Sequence, residues 1–258
     1  MRLKGKVAIV TGAGRGLGRA SSLEMAKEGA SLVILSRTPL ELKGTAKSIK
    51  TLGAEVIPIT ADVSKPKDIE RVVDRTIKHF KKVDILMNNA AIIGPVSPVF
   101  MIDQKEWEEA LNINLRGPYL FSKEVIPYMI KQGRGKIVNI TSGLGEVVMP
   151  PFAAYSVSKA GLIHLTKIMA EELEYHNIQV NGLDPGVMAT KMQEEIRNFG
   201  PDILGNEIYN EFVSMKERGI LKPPEKIAPL AVFLASEESD QVTGENGTEK
   251  HYRRFGYK

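Results

Sequence analysis

Val7-Ala8-Ile9-Val10-Thr11-Gly12-Ala13-Gly14-Arg15-Gly16-Leu17-Gly18 decides how the chain is read: an apolar run, then alternating glycines, then a segment of helical period. A strand that turns directly into a helix needs positions without a Cβ. Glycine adopts dihedrals that other residues avoid, and it lets the main chain approach a ligand closely. The helix start then presents unpaired N–H groups and a partial positive charge to a pyrophosphate. A bare glycine pattern is weak, so the strand before it and the helix after it carry the reading. Gly12, Gly14, Arg15, Gly16, Leu17 and Gly18 are therefore expected to cradle a dinucleotide. The spacing departs from the usual G-x-G-x-x-G: the glycines fall at 12, 16 and 18, with Gly14 additional.

Outward from this turn the same alternation repeats. Lys6–Val10, Ser31–Leu35, Glu55–Ile59, Asp84–Met87, Lys136–Ile140 and Gln179–Leu183 read as strands, rich in Val, Ile and Leu as strands covered on both faces are. Helical patterns fill the intervals at Gly18–Lys27, Leu40–Leu52, Lys67–Phe80, Gln104–Met129 and Phe152–His176, with a late helix at Glu225–Ser236. Pro127 is expected to end or bend the fourth of these. The fold class this predicts is α/β: a single-domain, Rossmann-like, doubly wound parallel sheet with helices on both faces, spanning 1–258. Residues 188–221 break the rhythm after the sixth strand. They read either as a lid over a substrate pocket or as extra packing helices.

Composition narrows the chemistry. Cysteine is absent, which excludes disulfides and thiolate metal sites. His79, His164, His176 and His251 lack metal-ligand spacing and read as surface or capping residues; no metal site is expected. Net charge is +4, spread along the chain except for Lys250, Arg253, Arg254 and Lys258. That basic tail reads as a solvated, frayed terminus rather than a nucleic-acid patch. No stretch approaches the roughly 20 apolar residues of a membrane span, and Val7–Val10 is too short for a signal-peptide core. The expectation is a cytoplasmic protein with no nucleic-acid or membrane partner.

The spacing Thr11-Gly12-x-x-x-Gly16-x-Gly18 resembles the short-chain dehydrogenase/reductase family. Asn88-Asn89-Ala90-Ala91 matches that family's Asn-Asn-Ala-Gly, with Ala91 a mild departure. Asn114, Ser142, Tyr155 and Lys159 follow in the family's order, then Pro185-Gly186 and Thr190. The resemblance runs from about residue 5 to 244. It implies hydride transfer between a nicotinamide dinucleotide and a carbonyl or alcohol. Asn89, Ala90, Ala91, Pro185, Gly186, Val187 and Thr190 would then contact the cofactor, and Asp62 and Val63 the adenine ring. Lys159 would bind the nicotinamide ribose, while Asn114 would hold a water relaying protons from it; Asn112 competes for that role.

Two sites bear their own physical reading. At the end of the second strand an acid would accept hydrogen bonds from the ribose 2′-OH of NAD. Here Ser36 is followed by Arg37, and Arg15 lies nearby in the glycine turn. Serine does not repel a 2′-phosphate and arginine binds one with a charge-assisted fork, so NADP(H) is favoured over NAD(H). The alternative is that Arg37 is an ordinary surface cation. Tyr155 and Lys159, four apart on a helical segment, share one face. A neighbouring ammonium favours the phenolate, which suits the tyrosine to general acid/base work. Ser142, at the end of the fifth strand, would orient the substrate oxygen.

The pocket wall is expected from 92–96, 143–152 and 188–221, with Ile93, Leu144, Val147, Met149, Phe152, Met188, Met192 and Phe199 as apolar candidates, at least half of them core or interface residues. Glu146 receives no role. After Val242-Thr243-Gly244 the chain departs from the family's apolar strand and Asp-Gly-Gly, so the last strand is short, shifted or missing and 245–258 forms an atypical tail. A small-molecule carbonyl/alcohol substrate and a homodimer or homotetramer are the expected partners. Alternatives are a 3-oxoacyl-thioester (acyl-carrier-protein) reductase, an NAD(H)-linked sugar or polyol dehydrogenase, and a non-catalytic dinucleotide-binding sensor.

Overall fold

The structure is a computed structural model that describes residues 1–258. Seven parallel strands form one sheet: β1 (Val7–Thr11), β2 (Ser31–Ser36), β3 (Val56–Thr60), β4 (Ile85–Asn88), β5 (Gly135–Ile140), β6 (Ile178–Leu183) and β7 (Asn246–Gly247). They lie in the order β3-β2-β1-β4-β5-β6-β7. The strand order reverses between β1 and β4, so their loops diverge at the C-terminal edge and leave a crevice there. β1, β5 and β6 are buried along their whole length, including the polar Lys136, Asn139, Gln179 and Asn181.

Two apolar layers cover the sheet. On one face α1 (Gly16–Lys27), α2 (Pro39–Thr51) and α10 (Pro224–Ala235) bury Leu17, Met25, Leu42, Ile49, Leu230 and Phe233 against the strands. On the other, α3 (Pro66–Phe80), α5 (Gly117–Gln132) and α6 (Ala153–Leu173) bury Ile69, Val72, Phe121, Met129, Met169 and Leu173. α4 (Gln104–Leu111) precedes α5 and is capped by Asp103, whose carboxylate accepts the Lys105 N–H at 2.9 Å.

Two expectations need correction. The fourth helical segment is not one α-helix broken at Pro127: it widens into a π-helical turn at Asn112–Arg116, and α5 then continues past Pro127 to Gln132. Pro127 is exposed, while Val125 and Met129 are buried beside it, and that packing holds the helix through the missing hydrogen bond. The tail is not frayed. β7 is only two residues long and pairs with Gly182 and Leu183, followed by α11 (Glu249–Tyr252). Tyr252 is fully buried, and its hydroxyl donates to the Gly182 carbonyl at 2.6 Å. The tail's four cations do remain exposed. At the opposite edge β3 carries Pro58, exposed in the middle of the strand.

The 188–221 excursion contains α7 (Lys191–Asn198), α8 (Gly200–Leu204) and α9 (Asn206–Glu217). Its base is pinned: the Ala189 N–H donates to Lys222 O at 2.9 Å and the Lys222 N–H to Val187 O at 3.1 Å. Ile196, Leu204 and Phe212 form a third apolar cluster with Ile93, Val96, Phe152 and Tyr155, apart from both sheet cores.

Candidate active site

A groove of about 700 Å³ runs along the C-terminal edge of the sheet, from the end of β2 across the glycine turn to Tyr155 and Lys159. The turn forms its floor. Gly12 and Gly16 have φ of +65° and +55°, a region L side chains rarely occupy. A Cβ on Gly12 would lie 2.8 Å from Asn89 Nδ2 and 2.9 Å from Ala90 Cα, and one on Gly18 would run into the Gly12 carbonyl. Asn89 itself serves the turn: its Nδ2 donates to Thr11 O at 2.8 Å. Thr11 Oγ1 accepts the N–H groups of Asn89 and Ala90, each at 2.9 Å. Thr11 is thus a structural pivot that the sequence reading passed over.

Most of the residues expected at the cofactor line this groove: Gly12, Gly14, Arg15, Gly16, Leu17, Ser36, Arg37, Asp62, Val63, Asn89, Ala90, Ala91, Tyr155, Lys159, Pro185 and Thr190. Gly18, Gly186 and Val187 do not; Gly18 is needed for the close packing of α1 on the turn. Arg15 and Arg37 both reach the β2 end, yet neither is free of carboxylates. Arg15 lies 3.4 Å from Glu41 and 3.8 Å from Glu195 of α7, and Arg37 lies 3.8 Å from Glu109. Asp62 is engaged locally, accepting the Ser64 N–H at 2.9 Å. The groove's dimensions, its Cβ-free floor and the start of α1 fit a nicotinamide dinucleotide.

At the inner end the buried Lys159 donates to the Ile140 carbonyl at 2.6 Å. Its ammonium lies 5.6 Å from the centre of the Tyr155 ring. Burial pulls the lysine down to about 8, opposed by the negative charge of Asp184. Burial pushes the Tyr155 phenol up to about 12; the nearby Ser142 hydroxyl lowers it and Asp184 raises it. Ser142 stands at the start of the 3₁₀ turn Gly143–Gly145, where its Oγ also accepts the Leu144 N–H at 3.2 Å. Asn114 is fully buried in the π-turn. Its side chain exchanges two hydrogen bonds with the Ile92 backbone, at 2.9 and 2.8 Å, and donates to Ser158 Oγ at 3.1 Å. The π-turn therefore ties α4–α5 to the loop after β4.

Of the expected pocket wall, Met188 and Met192 line the groove. Ile93 and Phe152 are core of the third cluster, and Leu144, Met149 and Phe199 pack on it. Val147 is exposed. Glu146, left without a role, accepts from Asn246 Nδ2 at 3.0 Å, and Asn246 Oδ1 accepts from Thr141 Oγ1 at 2.7 Å. The atypical tail is thereby joined to the loop beside Ser142. A smaller polar cavity of about 120 Å³ lies at the other strand ends, where Lys6 and Lys136 are paired to Glu237 and Asp240.

Comparison with known proteins agrees with this geometry. Residues 6–200 match the short chain dehydrogenase family. The chain is 36% identical over 245 residues to 3-oxoacyl-acyl-carrier-protein reductase of Thermotoga maritima, covering 95% of this chain and 96% of the relative. It is 33% identical over 246 residues to 2-dehydro-3-deoxy-D-gluconate 5-dehydrogenase of Dickeya dadantii, covering 94% and 92%. Its fold is similar to that of NAD⁺-bound xylitol dehydrogenase, with a TM-score of 0.89, 29% identity and coverage of 96% and 98%. The protein belongs to the short-chain dehydrogenase family. It is an oxidoreductase acting on CH–OH or C=O groups and uses a nicotinamide dinucleotide. No helix is long and apolar enough to cross a membrane.

Proposed function

We propose that this oxidoreductase is an NADP(H)-dependent carbonyl reductase, working on a small ketone or the matching secondary alcohol with Tyr155 as general acid/base. The observation that carries the reading is the groove with Tyr155 and Lys159 buried at one end and Arg15 and Arg37 at the other. The bound dinucleotide supplies or accepts the hydride. Tyr155, neutral at pH 7, donates its proton to the oxygen on which negative charge develops. Ser142 Oγ–H points the substrate oxygen toward that phenol. Lys159, cationic below about pH 8, stabilises the phenolate left behind and orients the ribose. Asn114 shapes the proton path through the π-turn it fixes.

The cofactor assignment rests on two arginines at the β2 end with no acid at position 36. The competing NAD(H) reading is supported by Glu41, Glu109 and Glu195, which already pair with those arginines. The apolar side chains near Tyr155, with Met188 and Met192 in the groove, favour an apolar carbonyl over a polyol. α5 and α6 carry exposed Tyr119, Val157 and Ile168, which suits a homodimer through those helices; a monomer by light scattering overturns that part. The deciding experiment follows absorbance at 340 nm with NADPH or NADH and cyclohexanone or acetoacetyl thioester, and with NADP⁺ or NAD⁺ and xylitol. Fastest turnover of the ketone with NADPH is expected. Preference for NADH unaffected by Arg37→Ala overturns the cofactor reading, and turnover of xylitol alone overturns the substrate reading.

A further inference from the structure

The loop after β5 begins with Thr141 and Ser142 and turns through Gly143–Gly145 to Glu146. Its inner side lies on α6: a Cβ on Gly145 would come within 2.8 Å of the Lys159 carbonyl carbon. Its outer side meets the tail at Asn246. Asn246 Oδ1 accepts the Thr141 hydroxyl at 2.7 Å, and Asn246 Nδ2 donates to Glu146 Oε1 at 3.0 Å. Thr141 directly precedes Ser142, and Glu146 closes the turn that follows it. One amide therefore grips the loop at both ends. Its orientation is fixed as well. Turned the other way, its oxygen would face the Glu146 carboxylate, acceptor against acceptor.

Asn246 stands on a firm base. It pairs with Gly182 of β6, and the main chain on either side is tied down: the Gly182 N–H donates to Glu245 O at 2.8 Å and the Asp184 N–H to Gly247 O at 2.9 Å. The buried Asn181 accepts the Glu245 N–H through Oδ1 at 3.1 Å. A Cβ on Gly182 would run into Asn246 Oδ1, so the glycine leaves the room in which the amide lies. We infer that Asn246 is a positioning residue for the reaction: it joins the tail to both ends of the 141–146 loop and so holds Ser142 beside Tyr155. This inference rests on the reading of Ser142 as the group that orients the substrate oxygen. The loop's internal bonds, from the Gly145 N–H to Ser142 O and from the Glu146 N–H to Gly143 O, both at 2.9 Å, fix its shape. Its placement comes from outside, from the Thr141 N–H on Leu183 O at 2.9 Å and from Asn246. A hydroxyl that must meet a substrate oxygen tolerates little displacement, since an error of about 1 Å costs on the order of 100-fold in rate. The tail that departs from the family pattern thus acts on the reacting oxygen through two side chains, its own Asn246 and then Ser142.

The test measures kcat, with the substrate turned over fastest in the 340 nm assay, beside the dissociation constant of the cofactor. Asn246→Ala should lower kcat roughly 10-fold and leave cofactor binding unchanged. Asn246→Asp should lower it further, to roughly 100-fold, because two carboxylates would then face each other. Adding Glu146→Gln to Asn246→Asp exchanges acid and amide, and should restore most of the turnover. In a Ser142→Ala background Asn246→Ala should cost nothing more, because it works through that serine. Glu146→Ala, at an exposed position, removes the outer bond without touching the tail and should give a smaller loss of the same kind, should the Asn246 variants fold poorly. The inference is overturned by an unchanged kcat in Asn246→Ala and Glu146→Ala, by weakened cofactor binding that accounts for the loss, by additive losses with Ser142→Ala, or by no recovery when Glu146→Gln joins Asn246→Asp. Full turnover by Ser142→Ala instead overturns the underlying assignment of the serine. An impaired Ser142→Ala beside an undisturbed Asn246→Ala overturns this inference alone.

Discussion

The glycine turn and the 188–221 excursion face each other across the groove, and they are built on opposite principles. The turn is held by main chain: Gly12 and Gly18 sit where a Cβ would strike Asn89, Ala90 or the Gly12 carbonyl. The excursion is held at its base by the Val187–Lys222 and Ala189–Lys222 hydrogen bonds and over its length by a small apolar cluster. A region fixed by backbone contacts has one geometry and fails as a whole. A region fixed by a satellite cluster opens without unfolding the sheet beneath it. The first suits a cofactor whose phosphates are always the same. The second suits substrates that differ between relatives.

Tyr155 lies where the two regions meet, and the largest effect is expected there. Tyr155→Phe should reduce kcat by roughly 10²–10⁴-fold while NADPH binding, followed by fluorescence, is retained. Gly12→Ala should abolish cofactor binding and cost about 1–3 kcal/mol of global stability from overpacking, read by urea denaturation. Phe212→Ala removes the edge-to-face partner of Phe152, whose ring centre is 6.0 Å away. A core phenylalanine costs about 3–5 kcal/mol on truncation, but here the loss should appear as faster hydrogen exchange over 188–221 and a raised KM, with the global midpoint unchanged. An equal fall in the global midpoint would merge the two regions into one cooperative unit.

Smaller effects sharpen the contrast. Lys159 is depressed to about 8 by burial, so it is cationic below that pH and loses its proton above it. kcat/KM for the cofactor, which reports free-protein ionisations, should therefore decline as pH rises through that value. Glu41→Gln removes an exposed partner of Arg15. Exposed pairs contribute about 0.2–1 kcal/mol, so NADPH should bind a few-fold more tightly with NADH unchanged.

The glycine turn was legible because its requirement is local: residues without a Cβ between a strand and a helix. The one-turn spacing of Tyr155 and Lys159 is local too, but such pairs are common on helices, and it is their order with Asn114 and Ser142, as in the family they resemble, that singles them out. The π-turn was not legible, since Asn114 bonds to Ile92, 22 positions away in the chain, and nothing local marks that contact. Asp184 has no local mark either: along the chain the acid near Ser142 is Glu146, whereas the carboxylate beside Gly143 in space comes from the end of β6. The tail was read from its exposed cations, whereas its placement is decided by Tyr252 and by Gly182, where a Cβ would collide with the Asn246 side chain.

Both margins of the sheet are closed to addition. A β-sheet edge offers unpaired N–H and C=O groups that template another chain. At one margin Pro58 lacks an N–H to donate. At the other, β7 ends after two residues and α11 folds in behind it, with Tyr252 against Gly182. The chain that gave up a long final strand thereby gave up a surface on which copies could stack strand to strand. At high concentration, association should proceed through side chains on helices and leave the cross-strand signature of fibrils undeveloped.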